Sequence, residues 1–67
     1  MKESVFRTIT REISHAFRNG EFTFTAFGKL FGIEHVNRDE YRVITSENRD
    51  AGIRFTSNHG NLRFYLA

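Results

Sequence analysis

Apolar positions recur with two different periods along this chain. From Glu3 to Arg18, Val5, Phe6, Ile9, Ile13, Ala16 and Phe17 fall three and four residues apart, which marks one face of a helix. Arg7, Arg11, Ser14 and Arg18 lie on its polar side. Asn19-Gly20 closes this helix, because both residues tolerate the left-handed conformation of a helix stop. The last stretch, Ile53–Leu66, alternates instead. An even turn at Asn58–Asn61 pairs Ile53 with Leu66, Phe55 with Phe64 and Ser57 with Leu62. Its apolar residues then share one face, and Arg54, Thr56, Arg63 and Tyr65 share the other.

The middle carries mixed signals. Glu21–Phe24 alternates and suits a short strand. Thr25 can cap a short helix over Ala26–Phe31, with Phe27, Leu30 and Phe31 inward and Gly32 as its end. Ile33–Val36 reads as a turn. The stretch 37–51 supports two readings. Tyr41-Arg42-Val43-Ile44-Thr45 has strand propensity. Its ends suit a helix: Asn37 as N-cap, Glu40 three residues later in a capping-box pattern, acids in the first turn, Arg49 in the last turn and Gly52 after it. Arg38, Arg42 and Arg49 also repeat the spacing of Arg7, Arg11 and Arg18 in the first helix. That repetition favours the helix.

The expected order is therefore helix, strand, helix, helix, strand, strand, in one domain spanning residues 1–67. On Thr25–Glu34 as second helix and turn, Asn37–Gly52 as third helix and Ile53–Ala67 as hairpin, the chain resembles a winged helix-turn-helix domain. The resemblance is one of pattern across the whole chain. It departs at Arg38, which falls where that family usually buries an aliphatic side chain. The expected class is α+β, a small winged helix-turn-helix. The alternative, if 37–51 is a strand, is two helices packed on a three-stranded antiparallel meander.

Composition narrows the chemistry. Sixty-seven residues leave little room for a core, and eight Phe with two Tyr supply large buried areas per residue. There is no Cys, hence no disulfide or thiolate metal site, and a small uncrosslinked domain is expected in the cytoplasm. No apolar run approaches the roughly 20 residues of a membrane span. His15, His35 and His59 lack metal-ligand spacing, and no nucleophile, phosphate-loop or dinucleotide motif is present. An enzyme is not expected, nor a cofactor or bound metal.

The net charge of +2 is unevenly distributed. Lys2, Arg7, Arg11 and Arg18 outnumber Glu3 and Glu12 in the first helix, and Arg54 and Arg63 stand unopposed in the hairpin. The stretch 37–51 is slightly acidic.

The resemblance implies binding to double-stranded DNA, as in a compact transcriptional regulator acting as a dimer on paired half-sites. As a helix, 37–51 would present Asn37, Arg38, Arg42, Thr45 and Arg49 along one stripe, with Asn37, Arg38 and Arg42 reading base edges. Arg54, Asn58, His59 and Arg63 would act in the wing. The alternative is a non-enzymatic protein-interaction module that inhibits or adapts a larger complex through Arg7, Arg11, Arg18 and Tyr65. The acids that offset the arginines of 37–51 favour that alternative.

Overall fold

The computed structural model describes residues 1–67. One helix, α1 (Glu3–Arg18), precedes five strands: β1 (Thr23–Ala26), β2 (Lys29–His35), β3 (Glu40–Thr45), β4 (Asp50–Asn58) and β5 (Asn61–Leu66). All neighbouring strands are antiparallel and follow chain order, so the sheet is a five-stranded meander. No helix is long and apolar enough to cross a membrane.

α1 forms where its apolar period foretells it, and Ile9, Ile13 and Ala16 are buried against the sheet. β1 to β4 contribute buried residues to the same face, Phe24 and Ala26, then Ile33, Val43, and Ile53 with Phe55, while Leu62 and Phe64 of β5 pack against them partly buried. Phe55 is fully buried at the centre. His35, Tyr41, Phe55 and Phe64 are paired in register across β2 to β5 and form an aromatic row. Ring centroids are 4.4, 5.2 and 5.3 Å apart along it. Phe17 of α1 meets this row edge-on, 4.9 Å from Tyr41 and 5.5 Å from Phe55. Such edge contacts place the positive rim of one ring on the negative face of the next and add to simple area burial.

The winged helix-turn-helix is not the fold, and neither is the alternative of two helices on three strands: there is one helix and there are five strands. Residues 26–31, expected to be helical, span the turn of a hairpin and the strand ends that flank it. Phe27 (φ 55°) and Gly28 (φ 71°) form the two-residue loop joining β1 to β2. The spacing of Phe27, Leu30 and Phe31 suggested a helix, but Phe31, Ile33 and His35 follow the strand period along β2 and share one face.

Residues 37–51 contain β3 flanked by two turns. The capping contacts expected at Asn37 are real. Its Oδ1 accepts the N–H groups of Asp39 and Glu40, and its Nδ2 donates to Glu40 Oε1. They close a turn rather than open a helix, because short polar side chains satisfy the same backbone donors in either setting. Propensity then governs: Val43, Ile44 and Thr45 are β-branched. The shared arginine spacing carries no structural meaning.

β3 and β4 slip in register between Arg42↔Arg54 and Ile44↔Asp50. Gly52, at φ 83°, lies within this bulge, where a side chain would be strained. The expected hairpin register holds: Ile53, Phe55 and Ser57 pair with Leu66, Phe64 and Leu62.

A candidate partner groove along the last strand

The face of the sheet turned away from α1 carries Arg42, Arg54 and Arg63 of the arginines expected to bind. Glu34, Arg42, Arg54 and Tyr65 lie side by side across β2 to β5. Glu40, Thr56 and Arg63 form a second row. Arg42 and Arg54 are directly opposed, and like charges so placed repel. Two carboxylates offset that repulsion. Arg42 Nε donates to Glu34 Oε1 at 2.7 Å, and Arg54 Nη1 lies 2.8 Å from Asp50 Oδ2. Arg54 Nη1 is buried, with the Asp50 carboxylate as its ion-pair partner. The Gly52 N–H donates to Asp50 Oδ1 at 2.7 Å. That hydrogen bond, followed by the Arg54 guanidinium, holds the Asp50 carboxyl below the usual aspartate range. The Tyr65 hydroxyl donates to Glu40 Oε2. Arg42, Arg54 and Tyr65 are therefore engaged within the sheet.

Asn37, Arg38, Thr45 and Arg49 do not form a stripe. Asn37 and Arg38 are in the β2–β3 turn, whereas Thr45 ends β3 and Arg49 follows in the next turn. Thr45 Oγ1 accepts the N–H groups of Glu47 and Arg49, which is a turn-building role. The helical stripe expected from these residues is absent because the helix is absent. Among the helix residues, Arg7 is paired with Glu3 at 2.7 Å, four residues earlier. Arg11 borders a separate, smaller depression of about 450 Å³ beside Phe27.

Asn58, His59, Arg63 and Arg18 do come together. They line a groove of about 710 Å³ between the C-terminal half of α1 and the β4–β5 hairpin, with Ser14, Thr56, Asn61, Leu62 and Phe64 among the other lining residues. His59 (φ 50°) and Gly60 (φ 84°) form the two-residue turn at one end. No carboxylate lines the groove. Arg18 and Arg63 are both exposed and neither takes part in the three ion pairs of the chain. The site thus concentrates uncompensated positive charge beside apolar surface, a setting that attracts anions through the local field.

The groove follows an open sheet edge. β5 pairs with β4 alone. The Ala67 N–H donates to Gly52 O at 2.9 Å, continuing the register of the two strands. Ladder bonds alternate along an antiparallel pair. Tyr65, Arg63 and Asn61 therefore bond to β4, and Leu62, Phe64 and Leu66 turn their N–H and C=O groups outward. α1 lies closest to β1, at the other side of the sheet. The side chains of Leu62 and Phe64 are consequently only partly covered, and Leu66 is 53% exposed.

Sequence reasoning named Arg18, Asn58, His59 and Arg63 but assigned them to different roles. It missed Ser14, Thr56, Leu62 and Phe64 as groove residues. A usable signal was the hairpin parity, which puts Leu62, Phe64 and Leu66 on one face of β5. No group of three His, Asp or Glu side chains converges in a way that suits a metal ion. Compared with known protein families, curated proteins and solved structures, the chain matches none.

Proposed function

We propose that this chain is a non-enzymatic protein-interaction module that holds a carboxylate-bearing segment of a larger protein in the groove beside β5. The observation that carries this reading is that Arg18, on the helix side, and Arg63, on the opposite face of β5, both border a groove without a lining acid. Carboxylates are natural partners for an arginine fork, which accommodates their two oxygens at once. Reading DNA bases through 37–51 required a helix to enter the major groove; that stretch instead contributes a strand to the sheet, with Arg42 bound to Glu34.

The test compares a glutamate-rich peptide with a mixed-sequence DNA duplex, by calorimetry and amide chemical shifts at the same moderate salt. The peptide is expected to shift amides of Asn58–Phe64 and to bind more tightly than the duplex. Reversing both charges with Arg18→Glu and Arg63→Glu is expected to weaken it about tenfold or more, equivalent to at least about 1.4 kcal/mol, with no change in the thermal midpoint. Preferential duplex binding, or peptide shifts that map away from the groove, would overturn the reading.

A further inference from the structure

Resting on that reading, we infer that the partner segment binds as a sixth strand, antiparallel to β5, with apolar residues on the helix side alternating with acidic residues opposite Arg63. Leu62, Phe64 and Leu66 present backbone donors and acceptors at every second position, which is the template an added strand needs. The edge carries none of the usual blocking devices. β5 contains no Pro, no Lys and no bulge, and its only charge, Arg63, points to the face away from α1.

The side-chain requirements follow from the pleat. In an antiparallel pair, a residue that exchanges hydrogen bonds with Phe64 lies opposite it and points to the same face. That face has incompletely covered apolar surface, so an apolar residue fits there. The next residue of the segment turns its own N–H away from β5; opposite Arg63, its carboxylate meets an unpaired guanidinium. Arg18, on the helix wall, lies on the side that takes the apolar residues and adds to the positive field that draws in an acidic segment. Charge complementarity also decides between occupants. The β5 strand of a second copy would bring another Arg63 and no carboxylate, leaving both arginines uncompensated.

N-methylation separates the two halves of this claim. The probe is an acetylated, amidated peptide of alternating Glu and Val, measured by calorimetry against the full chain. Methylating the valine nitrogens places methyl groups against β5 and is expected to weaken binding tenfold or more. Methylating the glutamate nitrogens, which point away, is expected to change affinity less than threefold. If the unmodified peptide binds in the groove and both methylated sets behave alike, strand addition is wrong while the groove proposal stands. If methylating the glutamates does the damage, the antiparallel register is wrong. If the unmodified peptide does not bind in the groove, both proposals fall. A stable dimer that protects the β5 edge and is not displaced by the peptide would assign the edge to a second copy and overturn the inference.

Discussion

The sheet begins and ends with hairpins built alike but finished differently. β1–β2 turns through Phe27-Gly28 and β4–β5 through His59-Gly60, with both central residues of each turn at positive φ. This is the mirror-image turn whose twist matches that of paired strands. Each hairpin also supplies an edge strand. β1 is four residues long, has α1 close beside it, and leaves only Thr23 and Thr25 facing outward by the same alternation of bonds. β5 is six residues long and leaves Leu62, Phe64 and Leu66 facing outward along the arginine groove. The first edge is short and polar, as protected edges tend to be; the second is longer and apolar. The difference teaches that the fold has finished one side and left the other able to accept a strand.

Core truncations should show this contrast most strongly. Phe24, buried in β1 and stacked on Phe31 at 5.2 Å, is expected to lose about 3–5 kcal/mol as Phe24→Ala. In a domain this small that is enough to leave much of the chain unfolded at room temperature. Phe64, half-buried in β5, is expected to lose only about 1–2 kcal/mol as Phe64→Ala. Chemical denaturation measures both; equal losses would mean that the two edges are equally finished.

Gly52 tests how the second hairpin is positioned. A side chain there would meet nothing within 4 Å, yet its φ is 83°. Gly52→Ala is expected to cost about 1–2 kcal/mol, entirely from left-handed backbone strain. No loss would show that the bulge can rearrange without that conformation. The turns themselves give a smaller and opposite effect. Phe27 is 59% exposed at its left-handed position, so little packing is lost on replacing it. Phe27→Asn is expected to stabilise by about 0.5–1 kcal/mol, because Asn suits both the φ value and the turn. His59→Asn should gain less, since His already tolerates this region better. Thermal melts of the two variants give the ranking; a larger gain at His59 would contradict it.

Asp50 gives the mildest response. Its folded carboxyl titrates below the unfolded value of about 3.9, so the folded chain binds fewer protons in that range. Its contribution to stability is present above that unfolded value and is lost as pH falls through the lower folded value. A carboxyl carbon titration is expected to show a depressed midpoint in the wild type. Gly52 supplies the leading hydrogen bond, so a midpoint at the ordinary value would contradict that arrangement.

The two ends of the molecule were legible in the sequence because local pattern and tertiary burial agree there. α1 has one continuous apolar stripe, and the β4–β5 register follows from alternation around a turn that accepts His-Gly. The middle was not legible because its end signals serve two structures. Asn37 and Glu40 make their expected contacts in a turn, and Phe27, Leu30 and Phe31 mimic a helical face across a hairpin. Tyr41, in the stretch read as a helix, joins the aromatic row from β3, between His35 and Phe55. The site was half legible for a related reason. Arginine identities are visible in sequence, but their partners are not. Glu34 and Asp50 neutralise Arg42 and Arg54 only through strand pairing and turn geometry, while Arg18 comes to border the same groove as the hairpin only through helix packing.

Amide hydrogen exchange along β5, with and without the alternating Glu–Val peptide, tests the central claim most directly. In the free chain, Leu62, Phe64 and Leu66 are expected to exchange quickly, while Asn61, Arg63 and Tyr65 are protected by β4. Saturating peptide is expected to slow exchange at Leu62, Phe64 and Leu66 and to leave Thr23 and Thr25 of β1 unchanged. Peptide bound in the groove with these three amides still exchanging freely, or protection appearing at Thr23 and Thr25 instead, would contradict it.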